Sequence, residues 1–501
     1  MSERSGIRRE SLWFDGEGPE LTTTTGLKPS VDDVVIGAGL TGLTTALLLA
    51  RAGRSVSLLE ARTIGAVATG HTTAKISLLQ GTRLSDIRNH HSDQVADSYL
   101  QANREGQAWL RRYCIEHGID VQTRDAYSFA STEAGMRAVE KEHAAAQRLG
   151  LQVELVGEMD VPFPCVGAVR LLDQAQFDPM DALRALAADF IDRGGRLHEG
   201  VRVLGVSPGR PCRVRSTSGN IDAENVVLAT GTPFLDRGLY FAKLKPERSY
   251  ALAFSVPDLA PTAMYLSVDA PTRSIRSAPT ADGEVLLIGG NGHPVGRGGI
   301  HHEHVDDLIA WTTSHFPGAE ATHSWSAQDY ATHDHIPFVG KLPLGLGHTY
   351  LATGYGKWGM TNAVAAALRI SAEVLGAKLT WAEPMGRRIT SPVVAAHGVW
   401  SNAKVGFELA KGWVDATIGT LDDRTPDEGE GTVGRSELKP AAVSTVNGVT
   451  CKLLATCTHL GGIVRWNDAE KSWDCPLHGS RYDSEGNVLE GPATKPLARL
   501  D

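Results

Sequence analysis

An α/β domain carrying an inserted α+β portion, followed by a small all-β domain, is the architecture this sequence predicts. Three observations lead there. A strand, a glycine-rich turn, a helix and a second strand follow one another over 33–60. Short runs with a period of two recur over 240–300, and after them a glycine-rich strand-to-helix pattern returns. Near the C-terminus, two short loops each carry one Cys and one His.

Composition narrows the functional classes. The 501 residues predict two or three domains, at roughly 100–200 residues each. A formal charge of −9 argues against a nucleic-acid partner and gives no support for binding to an anionic membrane surface. Cys114, Cys165, Cys212 and Cys451 are scattered and read as free thiols of a reducing compartment. Arg8-Arg9 is followed by no apolar run, and no long apolar segment occurs. The expectation is a cytoplasmic protein without a membrane span.

The first element after an irregular arm (1–30) is the strand Asp33-Val-Val-Ile36. It runs into Gly37-Ala-Gly39-Leu40-Thr41-Gly42 and an apolar helix, Leu43 to Arg51, which Gly53 ends. A second strand closes on Glu60. This is a Rossmann-like dinucleotide fingerprint in its structural context. Gly37 makes the tight turn, Gly39 admits the pyrophosphate and Gly42 lets helix pack on strand. The helix N-terminus faces the phosphates, and Glu60 accepts the ribose hydroxyls. Small and hydroxyl residues follow Ala61-Arg62, including Gly70-His71-Thr72, and suit a loop laid against a pyrophosphate and ring.

On these residues the chain resembles the D-amino-acid oxidase and glycine oxidase superfamily of FAD proteins. The resemblance implies FAD, with the segment after Glu60 beside the ribityl chain and flavin. Gly70-His71 stands where many members carry a Ser-Gly-Arg-Asn type of loop, so a substrate class does not carry over.

Asp93 to Arg112 and Glu133 to Leu149 read as amphipathic helices, and Pro179 opens another that stops at Gly194-Gly195. The resemblance sets the Val203 backbone against adenine and the strand ending in Ala229-Thr230-Gly231 under the dinucleotide. Parts 31–80, 165–235 and 325–380 are expected to bind FAD, and 81–164 and 240–324 to form the substrate side, within an oxidoreductase domain of 31–395. Gly289-Gly-Asn-Gly292 lacks the flanking strand and helix of a second fingerprint, which counts against a pyridine-nucleotide site.

The return pattern is a strand over 349–352, then Gly354-Tyr-Gly356-Lys357-Trp-Gly359-Met360-Thr361-Asn362 and a helix to about Leu375. Thr361 or Asn362 is expected to cap it. The resemblance points this helix N-terminus at the pyrimidine end of the flavin, where it stabilises the reduced ring. Lys357 either lies over the flavin or points to solvent, and His71 either contacts the cofactor or is structural. Arg276 is a candidate partner for a substrate carboxylate or a surface arginine. No catalytic base is identifiable.

An apolar stripe at Trp400, Ala403, Phe407, Ala410 and Val414 predicts a helix within 396–421 packed on the flavoprotein. An acidic linker, 422–432, then leads to the all-β domain, 433–501.

In that domain, Cys457-x-His459 and Cys475-x-x-His478 stand fifteen residues apart. Zinc sites usually pair Cys with Cys and His with His. A mixed pair in each loop suits a 2Fe-2S cluster with two thiolates on one iron and two imidazoles on the other. Cys-Thr-His-Leu-Gly, Cys-Pro-x-His-Gly-Ser-x-Tyr-Asp and Gly491-Pro492 resemble the Rieske family. The resemblance implies a potential of about −150 to +300 mV, raised by hydroxyls of Ser480 and Tyr482. It also implies no loop disulfide, because Gly462 and Leu477 occupy the two Cys positions of respiratory-type members.

A flavin ahead of a one-electron cluster makes a two-to-one electron converter. The expected function is a dehydrogenase, acting on an amine or amino acid by resemblance and delivering electrons to an acceptor protein or quinone. Two alternatives stay open: an oxidase with a structural cluster, and a redox sensor or carrier without its own substrate. A Rieske oxygenase needs a mononuclear iron triad of two His and a carboxylate. His90 with His91, and His301 with His304, read instead as polar loops or helix faces.

Overall fold

The computed structural model describes all residues except 1–5, 17–20, 158, 258–259, 282, 298, 387–405, 407–408, 415, 417–424, 438 and 501. The apolar run of 33–36 becomes the middle of a parallel sheet. Ser30–Ile36 pairs with Val56–Leu59 on one side and Gly219–Leu228 on the other, and the sheet extends to Arg196–His198 and Thr349–Thr353. Val34 and Val35 are wholly buried, as expected for a strand covered on both faces. The helices Leu40–Arg51, Pro179–Asp192 and Gly359–Val374 pack in one core with it. Asp178 caps the second of these by accepting from Met180 N–H.

The alternating runs form a second, nine-stranded mixed sheet. Glu320–Thr332 edges it beside Leu244–Ser255, followed by Gly283–Pro294, Arg273–Thr280, Met264–Ser267, Val121–Ala130 and Gly167–Phe177. Gly167–Phe177 and residues 325–332, expected above in the FAD-binding parts, therefore lie in this second sheet, across the borders at 165 and 325. Sequence periodicity marks a strand but not the sheet it joins.

The C-terminal domain is built from two antiparallel sheets, one of three strands (Gly431–Ser436, Lys439–Val446, Val449–Leu454) and one of four short strands over 465–490. Trp473, Tyr482, Leu453 and Val464 fill its core. Of the predicted helix in 396–421, Trp400, Ala403 and Phe407 lie outside the described residues. The described residues 409–414 are helical as expected but do not pack on the flavoprotein. Leu409 and Ala416 join the core of the all-β domain, and Trp413 donates from Nε1 to Gly461 O at 3.0 Å. An apolar stripe specifies burial, not the partner that buries it. Among the described residues, no helix is long and apolar enough to cross a membrane.

Candidate flavin and cluster sites

The dinucleotide turn is sterically closed to any residue but glycine at two places. A Cβ on Gly37 would lie 2.6 Å from Ala229 O, and one on Gly42 would lie 1.8 Å from Gly37 O. Gly39 stands at the N-cap of Leu40–Arg51. Leu40 N–H in its first turn donates to the Thr69 hydroxyl at 3.2 Å, and the Thr41 and Tyr355 hydroxyls meet at 2.8 Å. Glu60 ends the second strand and accepts from Ala38 N–H and, past Ala61, from Arg62 N–H, each at 2.8 Å. Its carboxyl thus stands beside the glycine turn, as a ribose partner must. Val201 N–H donates to Glu60 O and brings the Val203 strand to the same end. Ala229, Thr230 and Gly231 follow the neighbouring strand, and Thr353 Oγ1 donates to Gly231 O. The close backbone approach, the helix N-terminus and the acid fit a dinucleotide.

Gly70 is packed against Gly65, where a Cβ would meet its carbonyl at 2.4 Å. His71 bonds Val67 O through Nδ1 at 2.7 Å, and burial holds its pKa below the ordinary value. Thr72 O accepts from Trp13 Nε1 at 2.7 Å. Past Gly354, Gly356 and Lys357 both take positive φ, 54° and 73°. The Asp329 carboxyl lies close to Lys357, whose positive charge acts on it. Burial pushes that carboxyl up to about 7. The Lys357 ammonium reaches toward the second sheet, 3.9 Å from Glu247 and close to Gly292. Arg83 braces the same turn, donating to Gly356 O at 2.6 Å and contacting His335 Nδ1 at 2.7 Å.

Three sequence expectations are corrected. The helix Gly359–Val374 has Trp358 at its N-cap, without a side-chain bond, so neither Thr361 nor Asn362 caps it. Thr361 donates instead to Asn103 Oδ1 on a neighbouring helix, and Met360 joins the core. Arg276 is fully buried, stacked over Trp13 and donating to Thr73, Ala74 and Ser277 carbonyls. It braces the loop after Gly70-His71-Thr72 and faces no solvent. His301 is also buried, and it meets His304 and His293 instead of lying on a polar helix face. His90 and His91 remain apart from them, His90 stacking on His335 and His91 pairing with Asp334 at 3.3 Å. Arg83, Asp329 and Glu247 carried no sequence signal, because only folding brings them to Lys357.

The two cluster loops have the same backbone turn. Cys457 N–H donates to Gly462 O at 2.8 Å and Gly461 N–H to Cys457 O at 3.1 Å. Cys475 N–H donates to Ser480 O at 2.8 Å and Gly479 N–H to Cys475 O at 3.1 Å. Gly461 and Gly479 take positive φ in these turns. The turns bring four donors together. The Cys457 and Cys475 thiols hydrogen-bond, which pulls Cys457 below the ordinary thiol range. The His459 and His478 rings stand 5.1 Å apart and nearly perpendicular. His459 Nε2 meets Asp236 Oδ1 at 3.0 Å, whereas its buried Nδ1 has no hydrogen-bond partner among the described residues. With the hydrogen on Nε2, Nδ1 offers its lone pair to a metal. Burial holds His478 neutral, at about 4. Two thiolates and two neutral imidazoles fit a Rieske-type cluster.

Tyr482 OH accepts from Thr458 N–H at 3.1 Å and lies 3.2 Å from Cys457 Sγ, positioned to donate to it. Ser480 Oγ accepts from Ala493 N–H at 3.0 Å. Leu477 packs over Gly462, and none of the six cysteines is in a disulfide.

The fold and these two sites define a flavoprotein oxidoreductase with a C-terminal iron–sulfur domain. Comparison with known proteins agrees. Residues 32–373 match the FAD dependent oxidoreductase family model and 427–501 the Rieske [2Fe-2S] domain model. The chain belongs to the FAD dependent oxidoreductase family and carries a Rieske domain, and its cofactors are accordingly FAD and a Rieske-type 2Fe-2S cluster. It is 32% identical to the Rieske 2Fe-2S iron-sulfur protein YhfW of Bacillus subtilis (strain 168), over 94% of this chain and 93% of that one. A segment of 44 residues is 59% identical to cytochrome b6-f complex iron-sulfur subunit 1 of Nostoc sp. (strain PCC 7120), 9% of this chain and 25% of that subunit. Glycine oxidase from Geobacillus kaustophilus superposes with a TM-score of 0.61 at 21% identity, covering 72% of this chain and all of that one. L-amino acid deaminase from Proteus myxofaciens gives 0.59 at 17% identity, covering 76% and 98%. At such identities these structures establish the fold.

Proposed function

We propose that this protein is a flavin-dependent dehydrogenase that oxidises an amine or amino acid at its C–N bond. Its electrons would leave singly through the cluster to an acceptor protein or quinone. FAD supplies two-electron acceptance and the cluster one-electron transfer. In the oxidation, the substrate C–H hydrogen departs with both electrons, the C–N bond becomes C=N and the N–H proton passes to solvent.

The observation that carries this reading is the seam between the two sites. His459 and His478 are turned toward Asp236 and Phe241 of the flavoprotein. Gly356 N–H donates to Tyr330 O, the Tyr330 hydroxyl accepts from Gln328 Nε2 at 2.8 Å, and Gln328 Nε2 also bonds Gly479 O at 2.8 Å. Gly479 follows the cluster ligand His478, so a path of hydrogen bonds and the covalent Tyr330 side chain joins the flavin turn to the cluster loop.

In this reading Gly37, Gly39, Leu40, Thr41 and Gly42 hold the pyrophosphate, Glu60 the ribose, and Gly354 to Gly359 the ring. Lys357, half exposed at the junction with the second sheet, takes the carboxylate role first considered for Arg276. Lys357→Met should raise KM for an amino acid about tenfold, the equivalent of ~1.4 kcal/mol, with a smaller change in kcat. Glycine oxidase and L-amino acid deaminase are named for amino acid substrates, which supports the substrate class.

The decisive measurement is anaerobic mixing with a panel of amines and amino acids, followed by flavin absorbance and EPR. Flavin bleaching and then the reduced-cluster signal is the expected sequence. A flavin that reduces while the cluster stays oxidised refutes the relay, and stoichiometric peroxide in air from a Cys457→Ser variant at wild-type rate would establish an oxidase.

A further inference from the structure

Three histidines converge away from the cluster, on the opposite side of the second sheet from Lys357. His293 lies near the end of Gly283–Pro294, one residue beyond Gly292, whose missing side chain faces Lys357. Adjacent residues of a strand point to opposite faces, so His293 points away from the flavin side. His301 and His304 occupy the first turn of His301–His315, three apart and on one face. One ring nitrogen from each of the three lies within 4.8 Å of the others.

The surroundings orient these nitrogens as metal-site partners do. His293 Nδ1 donates to Asn291 O at 3.1 Å, which leaves Nε2 as the lone-pair nitrogen. His293 is 9% exposed, and its Nε2 is buried with no hydrogen-bond partner among the described residues. Leaving a buried nitrogen without a partner is unfavourable, and a bound cation would remove that cost. Asn291 holds a second ligand as well, donating from Nδ2 to His304 O at 2.7 Å, and it takes a positive φ of 54° to do so. The Tyr250 hydroxyl lies 3.3 Å from His301 Nδ1. Such second partners fix ring orientation at metal sites and change affinity 10–100-fold when removed.

We propose that His293, His301 and His304 form a mononuclear site for a divalent, imidazole-preferring transition ion of the zinc class, separate from the cluster. Neutral imidazoles without thiolate or carboxylate favour Zn, Cu, Ni or Fe over Mg or Ca. Zinc–nitrogen bonds of about 2.0–2.1 Å bring the three nitrogens nearer one another than 4.8 Å, so the rings close inward. The stacked pair His293 and His304, 4.5 Å between centroids, opens to share the ion. The site sits at the seam of the domains. Asp468 of the Rieske domain accepts from the backbone N–H groups of His301 and His302. A bound ion therefore ties helix to sheet directly beneath the docked cluster domain.

The test uses the full chain with flavin and cluster in place. After dialysis against a chelator, Zn2+ is titrated in competition with a chromophoric chelator, and X-ray absorption is recorded at the zinc edge. One tight equivalent of Zn2+ with a nitrogen-only first shell is expected. Affinity should fall roughly 100-fold or more in His293→Ala and His301→Ala, about 10–100-fold in Asn291→Ala, and not at all in His315→Ala on the same helix. Flavin absorbance and cluster EPR report whether each variant folds, and the wild-type edge spectrum decides if the variants do not. No tight equivalent, a first shell containing sulfur, or unchanged affinity in folded His293→Ala and His301→Ala would overturn the proposal.

Discussion

At the scale of single residues, the groups that touch Cys457 and His459, the proposed ligands, are placed to tune the cluster. Tyr482 OH is already an acceptor for Thr458 N–H, so its own hydrogen goes to Cys457 Sγ or Thr458 Oγ1, each 3.2 Å away. A hydrogen bond to sulfur stabilises the more negative, reduced cluster. Its net worth of about 0.5–1.5 kcal/mol corresponds to roughly 20–60 mV for one electron. Tyr482→Phe should lower the potential by that amount in an EPR-monitored titration, and an unchanged midpoint would refute the bond. Asp236 acts in the opposite sense, because its carboxylate on His459 Nε2 favours the oxidised form. Asp236→Asn should raise the midpoint by about 20–40 mV, the smaller value reflecting its exposure to solvent. A fall, or no change, would show that the carboxylate does not feel the cluster charge.

At the scale of elements, the strand Glu320–Thr332 connects the two sites through its two faces. Trp325 and Asp329 face the flavin side, Trp325 Nε1 donating to His71 O at 2.9 Å and Asp329 feeling the charge of Lys357. Ser326, Gln328 and Tyr330 face the cluster domain, bonding Arg248, Gly479 and Glu490. The period of two makes this division automatic. Gln328→Leu keeps approximate volume but removes the bonds to Gly479, Tyr330 and Arg248. Cluster reduction after flavin reduction should slow about tenfold in stopped-flow, with both midpoints unmoved. An unchanged rate would take Gln328 out of the route.

At the scale of the whole molecule, the Rieske domain is docked through buried charge. Arg248 is wholly buried, 3.6 Å from Asp474 and 4.0 Å from Glu470, and Arg481 lies 3.4 Å from both acids. Burial alone would raise Asp474, but the charges of Arg248 and Arg481 hold it down, to about 2. Glu490 behaves differently, because burial outweighs its cations and pushes it up to about 7. The folded state then keeps a proton that an unfolded Glu, at about 4.3, has released. Stability from the neutral carboxyl is full below pH ~4 and is lost as pH rises through 7. Thermal melts of the holoprotein should decline from pH 5 to 8, and Glu490→Gln should reduce that decline by about 2–4 °C. Parallel pH profiles of the two proteins would exclude Glu490 as the titrating group.

Local chemistry was readable along the chain: the glycine turn with Glu60, and two mixed loops carrying Cys457, His459, Cys475 and His478. These were legible because each depends on residues close in the chain, where a missing Cβ or a ligand spacing has one physical use. Tertiary structure decided everything that depends on distant partners. It buried Arg276 under loop carbonyls, turned Thr361 toward Asn103 and set the helical segment at 409–414 against the Rieske core. It also brought Asp329 to Lys357 and His293 to His301 and His304. Periodicity and composition fix which side chains must be buried or paired. Which surface buries them, and which charge they meet, follows only from how the sheets and helices pack.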